Sequence, residues 1–312
     1  MASAGIILAA AFLLVLFRRV PLEEVGSLWR AARLPYIFLA AIVSIFSNCF
    51  LAALKWGVIL KALGLPLPFR ENWLMKMAGG TIRSALPFRT GEAGRLLYLR
   101  RRYNFPLKKS AAAVLAELAP NILALGIFIA AGGLILKLPP IVWILPLAGL
   151  AAFAGIFTAL RRENTRDLLG AAWPRRLKAN WLRAAADLPG RFQGQDIAAI
   201  VLLSFVIQAA KLPSFWLLGA ALGVSFPAEL YLVFLPAAIL ISSLPLTFLG
   251  TGLREYSLQE LSRRFSALPA TPVTGAALLF TLVEYLFPAL LGVFWTRRFI
   301  AETLRGSDPD ST

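Results

Sequence analysis

Arg89, Glu92 and Arg95 fall within seven residues in the stretch SALPFRTGEAGRLLYLRRR, residues 84–102, with Lys76 and Arg83 just upstream. A guanidinium is planar and permanently charged, and it grips phosphate or carboxylate oxygens through two parallel N–H bonds. A glutamate beside it either holds that fork in place or receives a cationic amine. The cluster therefore fits a hydrated site for a phosphate-bearing head group. A second stretch, SSLPLTFLGTGLRE (242–255), has the same plan: serine, Leu-Pro, a glycine-containing linker, then Arg254 and Glu255. Glu117 and Asn121 sit four apart across Pro120 in an apolar run and can line the same cavity, since a carboxylate at membrane depth is a functional hypothesis by default. The candidate binding residues are thus Arg83, Arg89, Glu92, Arg95, Glu117, Asn121, Arg254 and Glu255. The structural breaks beside them are Pro87, Gly91, Pro245, Gly250 and Gly252. A competing reading has the arginines snorkel to the interface and Glu117 form a simple salt bridge.

The composition excludes much other chemistry. There is no histidine, which removes Ser-His and Cys-His catalysis, zinc sites of the HExxH type and histidine proton relays. Cys49 is the single cysteine and lies in an apolar run, so no intrachain disulfide is possible. No nucleotide-binding motif or metal-ligand set is visible. The expectation is a protein with no cofactor and no metal that is not an enzyme. The net charge of +16 comes without any nucleic-acid recognition motif. Basic residues at helix ends and in cytoplasmic loops account for it, and contact with anionic lipid is an alternative.

The elements that must position these residues are membrane helices. Of the 312 residues, 59% are hydrophobic and 15% charged, with repeated apolar runs of about 20 residues, which predicts an all-α polytopic membrane protein. Apolar runs at 3–17, 34–62, 110–136, 141–160, 196–223, 228–249 and 272–296 give about seven transmembrane helices. Residues 73–94 carry too much charge for a lipid-facing span, at roughly 2.5–3.5 kcal/mol per central charge, and read as a re-entrant pair lining a wet cavity. Reading 228–260 as a second re-entrant element returns the C-terminus to the cytoplasm. The likeness of the two broken segments raises an internal pseudo-repeat, against coincidence, because Leu-Pro and glycine are common in membrane helices. Paired broken segments in corresponding halves point to a transporter site. Residues 21–33 read as an interfacial amphipathic helix. Arg18-Arg19 after the first apolar run place that run with its N-terminus outside. One integral-membrane domain spans 1–300, with a basic cytoplasmic loop at 161–193 and a disordered tail at 301–312.

With these motifs in order, the chain resembles the lysylphosphatidylglycerol synthase transmembrane region, the flippase-like membrane family. The resemblance rests on LPFRTGEAGRLLYLRR (86–101), AAAVLAELAPNILAL (111–125) and LPLTFLGTGLREYSL (244–258). Leu118 and Asn121 stand where the family often has Arg and Asp, and Glu284 is the main charge of a last helix that often carries Arg. The two-part version adds a soluble aminoacyltransferase domain, and the expectation here is a member without it. The resemblance implies a lipid translocase that moves a phospholipid or polyprenyl-linked head group through a polar cavity between broken helices, in the bacterial inner membrane. Alternatives are an integral-membrane transferase acting on a lipid-linked substrate, with Glu92 or Glu117 as base, or a non-catalytic scaffold. The expected partners are membrane lipids, with a lipid-modifying enzyme as a further possibility.

Overall fold

The computed structural model describes residues 12, 14–18, 20–85, 90–141, 144, 192–243 and 252–305. Among these, all regular structure is helical. A short helix α1 (Leu22–Arg30) starts after Pro21, with Glu23 and Glu24 in its first turn and Arg30 in its last, as the helix dipole favours. Four helices are long and apolar enough to cross a membrane: α2 (Leu34–Ala62), α5 (Leu107–Ile135), α6 (Gly194–Ala221) and α9 (Ala270–Arg305). A helix of 29 residues such as α2 extends about 43 Å, more than the ~30 Å hydrocarbon layer. Their outward faces carry exposed Phe38, Leu134, Leu202, Leu290 and Phe294, the last 80% exposed, which suits lipid rather than water. The chain is an all-α membrane protein. The remaining crossings expected at 3–17 and 141–160 fall largely outside the described residues, as do most of the loop 161–193 and the end of the tail.

Between α2 and α5 stand α3 (Phe69–Ala85) and α4 (Thr90–Tyr103), which pack against each other. Between α6 and α9 stand α7 (Leu230–Ser242) and α8 (Leu253–Ser266), which do the same. Among the described residues from α2 onward, the element order is long helix, helical pair, long helix, and then the same again.

The two halves run in opposite directions. The Arg33 amide at the start of α2 donates to the Ala221 carbonyl at the end of α6 at 2.8 Å, whereas Lys55 farther along α2 reaches Ser204 near the beginning of α6. The halves also interlock. The first arm of each pair packs on the closing long helix of the other half, α3 on α9 and α7 on α5. Small residues permit this closeness. A Cβ on Gly292 would overlap Thr81 Oγ1 and stand 2.5 Å from the Met77 carbonyl, and one on Gly132 would meet Val233 at 2.8 Å.

Two large apolar clusters result, one at each end of the bundle, with a small third of Leu51, Ala52 and Ile207 between them. One gathers Trp56, Ile59, Leu60, Leu74, Tyr98 and Phe299 around α3 and α4; the other gathers Phe215, Leu218, Phe234, Leu258, Val273 and Phe280 around α7 and α8. The α3–α4 end also collects Lys61, Arg70, Arg100, Arg101, Arg102, Lys108, Lys109, Arg297, Arg298 and Arg305 at the helix termini. Glu71 ties this end together, accepting from Tyr98 at 2.8 Å and from Arg298 at 3.1 Å.

One expectation about sidedness is corrected. Arg18 and the chain's end were both placed on the cytoplasmic side. Trp29 of α1 donates to the Gly275 carbonyl at 3.2 Å and Thr271 to Glu24 at 2.7 Å, so α1 lies beside the start of α9. Arg18, just ahead of α1, and Arg297-Arg298 therefore lie at opposite ends of the bundle. The tertiary contact that decides this joins residues some 250 apart and left no local pattern.

Gly292→Leu would force a side chain into the α3–α9 contact. The expected cost is about 1–3 kcal/mol, read as a lowered unfolding temperature in detergent. Leu290→Ala, on the lipid-facing side, is expected to change it far less.

Candidate functional site

Along each of the four long helices, polar residues occupy the middle stretch between the two large apolar clusters. On α2 they are Asn48 and Lys55, on α5 Glu117 and Asn121, on α6 Gln208 and Lys211, and on α9 Glu284. With Lys76 and Arg83 of α3 and Glu92 and Arg95 of α4 they line a cavity of about 360 Å³. The cavity thus lies halfway along the membrane-length helices, at the meeting of the two halves.

Glu117 is the hub. Its Oε1 accepts from Lys76 Nζ at 2.6 Å and its Oε2 from Arg95 Nη1 at 2.9 Å. The Arg95 guanidinium lies over the Trp56 ring, 4.3 Å from its centroid. Lys55 Nζ donates to the Glu117 carbonyl at 3.3 Å, to Asn121 Oδ1 at 2.8 Å and to Ser204 Oγ at 3.2 Å. Pro120 makes no amide bond in α5, and that is where polar side chains converge. Arg83 approaches Glu92 at 3.8 Å, and Glu92 Oε2 is buried with no hydrogen-bond partner among the described residues. Gly91 is not itself a break: it lies in α4, where its lack of a side chain lets the α4 backbone rest against the Gly79 carbonyl and Arg83 of α3.

The second half repeats the residue types with different connections. Lys211 of α6 answers Lys55 of α2, Glu284 of α9 answers Glu117 of α5, and Arg254 of α8 answers Arg95 of α4. Arg254 again lies over an aromatic ring, 4.3 Å from the Tyr285 centroid. Yet Arg254 is bonded to its neighbour Glu255 at 2.9 Å and to Thr281 Oγ1, and both charged residues are fully buried behind the cavity wall. Glu255 also caps α8 by accepting from the Gly252 amide at 2.6 Å; Gly252 has φ 81, which favours glycine. Among the described residues Glu284 receives only neutral donors, Asn48 Nδ2 at 2.5 Å and Ser214 Oγ at 2.6 Å. Lys211 donates to Gln208 at 2.9 Å.

Of the candidates read from the sequence, Arg83, Glu92, Arg95, Glu117 and Asn121 come together around the cavity. Arg254 and Glu255 do not line it. Arg89, Pro87, Pro245 and Gly250 lie outside the described residues. The candidate set omitted Lys55, Lys76, Asn48, Gln208, Lys211 and Glu284. A lysine or glutamate inside an apolar run is a usable signal for four of these; the two amides carried none. The lining holds five cations (Lys55, Lys76, Arg83, Arg95, Lys211) against three carboxylates (Glu92, Glu117, Glu284), a formal surplus of two positive charges. The charge of the lining is therefore positive.

Residues 3–292 match the family model of the lysylphosphatidylglycerol synthase TM region. The chain belongs to this family. No curated protein matches its sequence significantly. The family match spans both halves.

Replacing Glu117 by Gln would leave Lys76 and Arg95 buried without their counter-charge. Removing one partner of a buried pair costs about 3–5 kcal/mol. Thermal unfolding in detergent is expected to show a much larger loss for Glu117→Gln than for Glu260→Gln, whose pairing with Arg263 is at the surface.

Proposed function

We propose that the protein is a lipid translocase that carries the anionic head group of a phospholipid or polyprenyl-linked lipid through the central cavity while the acyl or prenyl tails stay in the bilayer. The observation that carries this reading is the surplus of cations in a cavity halfway along the membrane-length helices. A phosphate there meets Lys55, Lys76, Arg95 and Lys211, and phosphate–cation contacts of this kind are short and strong. A substrate left in water would not require the charges at this depth.

In this reading the α3–α4 and α7–α8 pairs are re-entrant elements that enter from opposite faces and close the two ends of the path. Opposed, broken pairs meeting at a midplane site are the architecture of alternating access. The concentration of basic helix ends around α3–α4 makes that face cytoplasmic under the positive-inside rule. The C-terminal end of α9 is then cytoplasmic and α1 lies on the outer face, in the cytoplasmic membrane of a bacterium. The site holds and passes a head group; it is a carrier and not an enzyme.

Purified protein in liposomes tests this through the leaflet accessibility of labelled anionic and cationic lipids. Movement of an anionic lipid is expected for the wild type, reduced at least tenfold in Arg95→Gln and in Lys211→Gln. Lys108→Gln, at the basic surface, is expected to keep it. Equal movement in all four proteins would refute the cavity as the path. A lipid of changed mass accumulating with the purified protein would point to a transferase instead.

A further inference from the structure

Glu284 and Glu117 occupy corresponding places in the two halves but are treated differently. Glu117 is bonded to two cations, at 2.6 and 2.9 Å. Glu284 is 3% exposed, lines the same cavity and has no cation within ion-pair distance among the described residues; its oxygens receive Asn48 and Ser214. A carboxylate taken out of water needs a positive charge close by. Asn48 Nδ2 also donates to Ser44 Oγ at 3.3 Å. Ser44 Oγ donates to the Val283 carbonyl at 3.1 Å; Ser44 immediately precedes the π-helical segment Ile45–Leu51 of α2, and Val283 lies in the π-helical segment Leu282–Leu286 of α9. π-Bulges recur at functional sites because they loosen the regular backbone bonding. In transporters, coupling ions bind where irregular helix backbone meets polar side chains near the midplane.

We propose that Glu284, with Asn48 and Ser214, is the site of a coupling cation, a proton or a sodium ion, whose occupancy is tied to that of the anionic head group in the same cavity. The inference rests on the translocation reading and supplies its missing drive. The groups facing Glu284 are Lys211 from α6, Arg254 from α8, Cys49 from α2 and its neighbour Tyr285, and Lys76 and Arg83 from α3 line the same cavity. All the permanently or ordinarily charged ones are cations, so neutralising Glu284 raises the formal surplus in the cavity from two to three. The anion then binds more tightly, and by linkage the bound anion favours the cation at Glu284 to the same degree.

The test uses the full chain in nanodiscs of zwitterionic lipid, with dihexanoyl phosphatidylglycerol as the probe anion. Its binding is measured across a pH series, in sodium chloride and in choline chloride at equal ionic strength, so that screening is constant. Wild type is expected to bind the probe roughly 5–150-fold more tightly when the coupling cation is supplied. Acid dependence identifies a proton and sodium dependence a sodium ion. Glu284→Gln keeps an oxygen and the size of the side chain and is expected to bind the probe with no such dependence. Equal dependence in both proteins, or probe binding by wild type without any, overturns the coupling site alone. No probe binding by either protein overturns the head-group reading and the coupling with it. Should Glu284→Gln fail to fold, Ser214→Ala, which removes one donor and keeps the carboxylate, is expected to shift the midpoint of the cation dependence; an unshifted midpoint overturns the site.

Discussion

A carboxylate placed halfway along a membrane-length helix has to find its counter-charge inside the protein, because lipid offers none. Glu117 is that carboxylate, and the central architecture follows from how it is satisfied. Lys76 and Arg95 bring α3 and α4 to it, Lys55 brings α2, and through Ser204 the same lysine brings α6. Five elements from both halves converge on one buried ionic group. Stability alone does not require this, since a buried ion pair can often be replaced by well-packed apolar residues at no cost. Apolar side chains at these positions would give a tighter bundle and no cavity. In the proposed function these charges line the path of an anion.

The inverted arrangement gives the site its position. Two halves of the same element order, run in opposite directions, place their polar middles at one level and their apolar clusters at the two ends. Close packing at Gly292 and Gly132 lets each broken pair lean on the opposite half. The halves are alike in residue type and unlike in pairing. The first half spends its glutamate on two cations. The second half turns its arginine away to Glu255 and leaves Glu284 with amide and hydroxyl donors. The positive surplus comes from the first half, with Lys55, Lys76, Arg83 and Arg95 against Glu92 and Glu117, while Lys211 and Glu284 of the second half balance; the unequal pairing sets Glu284 apart from the rest.

Much of this was legible in the chain, for identifiable reasons. Apolar run length marks α2, α5, α6 and α9, because a bilayer imposes it. Charge beside Pro and Gly in 84–95 marks the α3–α4 pair, and the parallel with 242–255 points to a second pair. Glu117 stands out because a carboxylate in an apolar run needs either a salt-bridge partner or a site to serve, and the structure gives it Lys76 and Arg95 as partners at the cavity. Lys211 and Gln208 did not stand out, since a turn of polar residues within an otherwise apolar helix resembles an ordinary interhelical contact until the partner helix is known. Arg254 and Glu255 read as cavity residues because their types match the first pair. Their adjacency lets them pair with each other, and that local bond withdraws them from the cavity, while Arg254 Nε and Nη1 have no hydrogen-bond partner among the described residues. The relative position of Arg18 and the chain's end depends on α1 docking beside Gly275, a contact between segments remote in sequence.

The most direct measurement is a structure of the protein in nanodiscs rich in an anionic phospholipid, at a resolution that separates phosphate from water. The account predicts a lipid phosphate inside the cavity, within hydrogen-bond reach of Lys76, Arg95 or Lys211, with its tails leading outward between helices. A cavity holding only water, with every head group confined to the outer surface of the protein, would contradict it.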